Sequence, residues 1–313
     1  MKLLWRLTCS VEIVKTLIAL DGSPDAICAM RIAMHLISPI SREISLLCVA
    51  PPIVRRAKGE PRRDYDRRIL AEAHRIIERA HAELPPGAGP VTRLAEIGSV
   101  AATIIDQSRD HDLVVLGDKG RGTSGNAGLG PVASRVLGHA PSAVLIGREM
   151  TAEPEELRIL VTVDGSAASH RAIELICSGF DLNRAEVCLM HVAETPWVHL
   201  GLEEDWYTAG EEEQDRSEPG AFEREMVREG EQLVQQAKRW LHIPRLSVTT
   251  NIVQGNPADE IISEAERGGY HLIVMGASDS HDLKHRMLGS VSTKVAWNAP
   301  CSVLVVKEPG ETG

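Results

Sequence analysis

The segment GPVASRVLGHAPSAVL at residues 130–145 is repeated as GSVSTKVAWNAPCSVL at residues 289–304. The two segments align without a gap at an offset of 159 residues and share Gly, Val, Val, Ala, Pro, Val and Leu. Gly117 and Gly276 keep this offset, whereas Asp21 and Asp164 are only 143 residues apart, so the second copy contains about 16 extra residues. This self-similarity predicts two copies of one domain, joined head to tail.

The length of the chain agrees with two copies. With 313 residues and 34.1 kDa, it is about twice the usual size of a compact domain. The polar stretch Thr151 to Glu156 is typical of a linker. We therefore predict one domain at residues 1–151 and a second at residues 152–313.

Each copy alternates short apolar stretches with amphipathic ones. The predicted strands are 13–20, 44–50, 91–97, 113–117 and 143–147, then 158–163, 186–193, 246–253, 271–276 and 302–307. Segments whose apolar residues have helical spacing lie between these strands. Such alternation of strand and helix indicates parallel sheets with right-handed crossovers. The predicted fold class is α/β, with two tandem Rossmann-like domains that each hold a five-stranded parallel sheet flanked by helices.

The last strand of each copy, at 143–147 and 302–307, is expected at an edge of its sheet. An exposed edge presents unpaired backbone groups that favour pairing with another strand. We predict that these two strands pair with each other, which would make the chain an intramolecular pseudo-dimer with a pseudo-two-fold axis. Association of two chains into a homodimer stays open.

Composition and charge narrow the classes of function. The formal charge of −10 disfavours nucleic acid as a partner, because phosphate backbones need a basic surface. No apolar run approaches the ~20 residues of a membrane span, so no membrane association is expected. The six Cys lie far apart without a C-x-x-C pair, which is typical of a reduced, cytoplasmic protein.

Two features follow the first and fourth predicted strands of each copy. Asp21 and Asp164 each open an Asp-Gly-Ser sequence, and Gly117 and Gly276 end the fourth strands. In open parallel sheets, ligands bind beyond the carboxyl ends of the strands, where the strand order reverses. An Asp there can hold ribose hydroxyls or a metal bound to phosphate; equally, Asp-Gly-Ser can form a turn that caps the next helix.

The loop from Gly117 to Gly130 contains six Gly in 14 positions and precedes a helix. Exposed amides and a helix N-terminus attract phosphate, although the same composition suits a solvated loop. The arrangement resembles the universal stress protein family, which combines a first-strand Asp with a loop of the form G-x2-G-x9-G-[ST]. The resemblance covers nearly the whole chain twice and implies an adenine nucleotide alpha hydrolase-like fold that binds ATP, with or without Mg²⁺, or a related adenine nucleotide.

The family pattern assigns the cofactor-binding residues, which are Asp21, Gly117, Gly120 and Gly130 in the first copy and Asp164, Gly276, Gly289 and Ser290 in the second. Each copy departs from the pattern once. Pro131 stands where the family has Ser or Thr, and it removes an N–H and a hydroxyl from the phosphate site. Asp279 replaces the second Gly of the other loop and brings a carboxylate towards phosphate.

Other patterns point to no specific reaction. His281 and His285 have the i, i+4 spacing of metal ligands, but no third ligand accompanies them, so no metal site is predicted. No nucleophile elbow or lysine-bearing phosphate loop is present in the sequence. We therefore predict no catalytic residues.

Charge is unevenly distributed along the chain. Residues 194–232 hold 13 acidic residues and 3 Arg, a net −10, whereas residues 55–68 hold 7 basic and 3 acidic residues, a net +4. These stretches are either solvated surfaces or a mutual contact, within one chain or between two.

The resemblance leads to one expected function and one alternative. The first is a cytoplasmic stress-response regulator that binds an adenine nucleotide in at least one repeat, without turnover beyond weak ATP hydrolysis. The alternative is a protein-interaction module in which the altered loops no longer bind phosphate and the paired domains dock a protein partner. An intact G-x2-G-x9-G-[ST] motif in either copy would have favoured the nucleotide-binding function, but each copy departs from it once.

Overall fold

The computed structural model describes residues 13–52, 62–120, 128–149, 156–194, 221–241, 243–277 and 288–307. The first half contains β1 (Val14–Ala19), α1 (Pro24–Leu36), β2 (Arg42–Ala50), α2 (Arg62–Ala82), β3 (Val91–Ile97), α3 (Val100–Gln107), β4 (Leu113–Gly117), α4 (Pro131–His139) and β5 (Ala143–Gly147). The second half contains β6 (Leu157–Thr162), α5 (Ala167–Gly179), β7 (Ala185–Ala193), α6 (Ala221–Trp240), β8 (Ser247–Gln254), α7 (Pro257–Gly268), β9 (Leu272–Ala277), α8 (Ser290–Asn298) and β10 (Ser302–Lys307). The predicted α/β class and its elements are confirmed.

All ten of these strands form one sheet in the order β3-β2-β1-β4-β5-β10-β9-β6-β7-β8. Neighbouring strands run parallel within each half. The central pair, β5 and β10, is antiparallel, with Val303 opposite Ile146 and Val305 opposite Val144. The predicted pairing of the two last strands is therefore confirmed, and each strand covers an edge that the other half would expose.

The sheet is buried on both faces by helices from both halves. One face carries α1, α2, α5 and α6, and the other carries α3, α4, α7 and α8. Each face forms a continuous apolar cluster that crosses from one half to the other. This burial explains the Val, Ile and Leu runs of the central strands, since strands covered on both faces need no polar alternation.

A second contact between the halves lies at the C-terminal ends of α1 and α5. Ser41 Oγ donates to the carbonyl oxygen of Gly179 at 3.1 Å, and Ile37 forms an antiparallel bridge with Phe180. A Cβ atom on Gly179 would lie 2.5 Å from Val14 Cγ2, so only a glycine allows this approach. The halves therefore meet at this contact as well as along β5 and β10.

The turns after β1 and β6 begin the next helix in the same way. Ser23 Oγ accepts from the backbone N–H of Ala26 at 3.2 Å, and Ser166 Oγ accepts from Ser169 N–H at 3.1 Å. Gly22 and Gly165 adopt φ values of 77° and 80°, which disfavour any residue with a Cβ. The Asp-Gly-Ser sequences thus form turns and helix caps, and they also leave an Asp at each strand end.

Several sequence predictions concern residues outside the described ranges. The predicted domain boundary falls within residues 150–155, and most of the acidic stretch falls within 195–220. Part of the basic stretch, at 53–61, is also outside them. Among the helices that the structure does describe, none combines the length and the apolar character that a bilayer crossing requires.

Candidate functional site

A cavity of about 780 Å³ opens at the carboxyl ends of β1, β2 and β4 in the first half. This is the place where the strand order reverses, because β1 lies between β2 and β4 in the sheet. Helices α2 and α3 and the beginning of α4 complete its walls. Position and size are those of a small-molecule site, since ligand pockets usually occupy about 300–1,000 Å³.

The cavity is lined by both apolar and polar residues. Its apolar wall is formed by Ala19, Leu47, Val49, Ile69, Ala73, Ile76, Val100 and Ile104. Its polar wall includes Asp21, Arg68, Glu72, Arg75, Asp118 and Lys119, together with Gly120 and Gly130. Such a lining suits a ligand that combines an apolar ring with charged groups.

Asp21 lines the cavity shortly after the end of β1. Its Oδ1 accepts from the backbone N–H of Ser23 at 2.8 Å, which holds the carboxylate in a fixed orientation. Its Oδ2 would lie 3.0 Å from a Cβ atom built on Gly120. The structure thus brings together Asp21 and Gly120, which are 99 residues apart in the sequence.

The two ends of the Gly-rich loop are tied together by one backbone hydrogen bond. Gly130 N–H donates to the carbonyl oxygen of Asp118 at 2.7 Å. Gly130 is also the N-cap residue of α4, and the first turn of this helix lines the cavity. Residues 121–127 of this loop lie outside the described ranges.

Gly117 has a packing reason to be glycine. A Cβ atom there would lie 2.8 Å from the carbonyl carbon of Asp25 and 2.9 Å from the amide nitrogen of Ala26. Gly276 is packed equally closely in the second half, where a Cβ atom would lie 2.5 Å from the amide nitrogen of Ser169. Both glycines let an earlier helix of the same half, α1 or α5, approach the strand end, and Gly117 also lines the cavity.

Pro131 occupies the first position of α4 and lines the cavity. Proline suits this position because its φ angle is helical and the missing N–H would have no partner within the helix. Gly130, the last Gly of the family pattern, is the N-cap residue of α4, but the hydroxyl that follows it in that pattern is absent. The cavity therefore offers a ligand fewer hydrogen-bond donors than the intact pattern would.

The second half places its own set of residues at equivalent strand and helix ends. Asp164 Oδ1 accepts from Ser166 N–H at 2.9 Å and from Ser166 Oγ at 2.6 Å. Gly289 is the N-cap residue of α8, and Ser290 is its first residue. Asp279, His281 and His285 lie within 278–287, outside the described residues, so the second loop stays a sequence prediction.

Several carboxylates lie near one another beside the first cavity. Burial raises the pKa of Asp25, and the carboxylates of Asp118, Asp21 and Glu149 add to the rise. Lys119 acts in the opposite direction. The cavity lining itself contains three cations, Arg68, Arg75 and Lys119, beside three carboxylates, Asp21, Glu72 and Asp118, so an anionic ligand would meet charges of both signs. No group of three or more His, Cys, Asp or Glu side chains in the described ranges is arranged to hold a metal ion.

Sequence reasoning missed one residue beside the site, Arg148, which follows β5. Its Nε lies 3.6 Å from Asp118 Oδ2, and both side chains are largely buried. Burial lowers the pKa of Arg148, and Asp118 partly restores it. The internal repeat could have pointed to this position, because the equivalent residue 159 positions later, Lys307, is also basic.

Comparison with known proteins agrees with this architecture. A sequence model of the Universal stress protein family matches residues 13–148 and 157–307. A universal stress protein of Mycobacterium tuberculosis is 27% identical over 313 residues, covering 93% of this chain and 96% of that protein. One of Methanocaldococcus jannaschii is 32% identical over 156 residues, covering 49% of this chain and 82% of that protein. The crystal structure of a universal stress protein from Archaeoglobus fulgidus superimposes with a TM-score of 0.63 at 19% identity, covering 97% of this chain and 100% of that one.

Proposed function

Because the chain belongs to the universal stress protein family, we propose that its first half binds ATP or a related adenine nucleotide and that it acts as a regulator in the cytoplasm. The observation that carries this proposal is the cavity of about 780 Å³ in which Asp21, Gly120 and Gly130 meet. The protein would then respond to nucleotide occupancy, and turnover would be limited to weak ATP hydrolysis.

The apolar and polar lining residues of the cavity suit the purine ring and the phosphates of a nucleotide. The apolar wall between α2, α3 and the ends of β1 and β2 offers a slot for a flat purine ring. Asp21 stands where a carboxylate would accept hydrogen bonds from ribose hydroxyls. The amides at Gly120 and at the beginning of α4 would hold the phosphates, as helix N-termini and glycine-rich turns do elsewhere.

The carboxylates that line the cavity support a role for Mg²⁺. Asp21 and Asp118 would repel a triphosphate, since unit charges 4 Å apart interact by about 4 kcal/mol at an effective dielectric of 20. Arg68, Arg75 and Lys119, which also line the cavity, offset part of this repulsion. A magnesium ion bound to the phosphates would offset more, so ATP affinity should increase with Mg²⁺ concentration.

The second half is the weaker candidate for nucleotide binding. It keeps Asp164, Gly289 and Ser290, but Asp279 enters the loop where the family pattern has Gly. We expect its affinity for ATP to be lower than that of the first half. Domain limits at 1–151 and 152–313 remain part of this proposal.

The deciding experiment is mass spectrometry of the ligand released when the purified protein is denatured, followed by calorimetric titration with ATP. We expect an adenine nucleotide in the released fraction. Asp21→Ala should abolish most of the measured binding, whereas its matched counterpart Asp164→Ala should reduce it little. If no nucleotide is released and no ATP binding is measured, the protein-interaction module replaces this proposal.

A further inference from the structure

The nucleotide loop of the first half is attached to the second half through Arg148. The side chain of Arg148 is only 11% exposed. Its guanidinium donates to the carbonyl oxygen of Cys301 at 3.0 Å and to that of Ala296, and both acceptors belong to the second half. The same guanidinium lies 3.6 Å from the carboxylate of Asp118. One buried side chain therefore connects the cavity wall with the end of α8 and the beginning of β10.

Asp118 is the residue through which this connection reaches the loop. It follows Gly117, lines the cavity and accepts the hydrogen bond from Gly130 N–H that ties the two loop ends. Its carboxylate is held by Arg148 while its backbone carbonyl oxygen holds Gly130, so one residue carries both contacts. Arg148 thus holds Asp118, the residue that bonds to Gly130 and lies two positions before Gly120.

Trp297 of α8 makes a second contact with the same loop. A Cβ atom on Gly128 would overlap the six-membered ring of Trp297, so the glycine backbone packs directly against the indole. Gly128 has φ of 78°, a conformation that side chains rarely adopt. The loop therefore rests on the second half at Gly128 as well as at Asp118.

At the equivalent positions that the structure describes, the residues that would make these contacts in the other direction are missing. At the offset of 159 residues, Asp118 corresponds to Ala277, and Arg148 corresponds to Lys307. Lys307 pairs with Ala277 in the sheet and donates to the carbonyl oxygen of Ala140 at 2.7 Å. Gly138 takes the place of Trp297, and a Cβ atom on it would meet nothing within 4 Å. The attachment runs from the second half to the first-half loop.

We infer that Arg148 and Trp297 are positioning residues by which the second half holds the first-half nucleotide loop and sets its affinity for nucleotide. The part that concerns affinity rests on the proposed function. The second half, although its own loop departs from the family pattern, then has a defined role as the support of the first-half site. Because couplings between sites are reciprocal, nucleotide binding should in turn stabilise the contact of α8 with the loop.

The first test is calorimetric titration with ATP of full-length variants that also carry Asp164→Ala. Arg148→Met should weaken ATP binding by about tenfold, within the range of couplings measured between protein sites. Arg148→Lys, which can still reach Asp118, should restore part of the affinity. Lys307→Met is the matched control, because it removes the corresponding cation without touching the first-half loop, and it should leave the affinity unchanged. Equal effects of Arg148→Met and Lys307→Met would overturn the inference.

A double-mutant cycle distinguishes positioning through Asp118 from a general loss of packing. If Arg148 acts through Asp118, then Asp118→Asn and Arg148→Met should together cost clearly less than the sum of their separate effects. Additive effects would show that Arg148 acts by another route. In a variant that keeps Trp297 and carries Phe at the other four Trp positions, the fluorescence should change on ATP addition, and Arg148→Met should shift the titration midpoint by the same factor as in calorimetry.

Amide hydrogen exchange without nucleotide separates this inference from the proposed function. Exchange at Gly130, whose N–H is bonded to Asp118, should be faster in Arg148→Met and in Trp297→Leu than in Lys307→Met. That result would support the attachment even if the wild-type protein bound no ATP, in which case only the proposed function would fail. Unchanged exchange at Gly130 in both variants would overturn the attachment itself.

Discussion

Lys307 Nζ donates to the carbonyl oxygen of Ala140 at 2.7 Å, across the antiparallel pair formed by β5 and β10. Burial lowers the pKa of Lys307 from 10.5 to about 8. Within the described residues, no carboxylate forms an ion pair with this ammonium to offset the burial. The contact between the halves therefore contains a cation whose charged form is disfavoured by the fold.

This desolvation predicts a specific pH dependence of stability. Between pH about 8 and 10.5 the unfolded chain binds the proton of Lys307 more tightly than the folded chain does. The free energy of unfolding should therefore rise with pH across this window, and the penalty should be fully present below pH 8. Lys307→Met should flatten the rise, as measured by urea unfolding at a series of pH values.

Lys294→Met is the control for this measurement. Lys294 is exposed and pairs with Asp259 at 2.7 Å, so its substitution should not change the slope with pH. Parallel wild-type and Lys307→Met curves throughout the window would mean that Lys307 is not desolvated in the folded protein.

Gly117→Ala should destabilise the fold as well as the site. The new Cβ would meet the backbone of Asp25 and Ala26 at 2.8 and 2.9 Å, and a helix backbone cannot yield as a flexible side chain can. Such overpacking typically costs about 1–3 kcal/mol. Gly138→Ala, in open space within α4, should instead stabilise the protein by about 0.5–1 kcal/mol. Chemical denaturation measures both, and a neutral Gly117→Ala would contradict the packing explanation.

Pro131→Ser should raise the affinity of the first half for ATP. The substitution restores one N–H and one hydroxyl at the beginning of α4, and a hydrogen bond to a charged acceptor is worth about 1.5–3 kcal/mol. We expect at least about a tenfold gain, measured by calorimetry in a protein that also carries Asp164→Ala. Pro257→Ser, at the same position of α7 and away from the cavity, should have no effect. Equal affinity of Pro131→Ser and the parent would argue against phosphate at this helix.

Asp279→Gly should raise the affinity of the second half for ATP, measured with Asp21→Ala in the first half. The expected cause is the removal of a carboxylate from the phosphate loop, and the gain should decrease as salt concentration increases. Asp279→Asn removes the charge but keeps a side chain of similar size, so it should give most of the gain. If Asn has no effect and Gly does, backbone conformation rather than charge is the obstacle.

Much of the fold could be predicted because its signals are local or repeated. Strand and helix periodicity, the Ser23 and Ser166 caps and the offset of 159 residues can all be read along the chain. The meeting of Asp21 with Gly120 and Gly130 also follows from the sequence, since parallel strands deliver their carboxyl ends to one edge of a sheet. The pairing of β5 with β10 followed from the need to cover two edges.

Other features depend on contacts between distant residues that no periodicity records. Gly117 was assigned to the ligand by its pattern, but the approach of α1 to the end of β4 gives it a packing role, and that distance exists only in the folded chain. Arg148 meets Ala296 and Cys301 about 150 residues further on because antiparallel pairing brings β10 beside β5. The repeat by itself predicts two equivalent halves. Only the tertiary structure decides that Trp297 and Arg148 reach the first-half loop while Gly138 and Ala277 leave the reverse contacts unmade, because these contacts depend on single side chains at related positions.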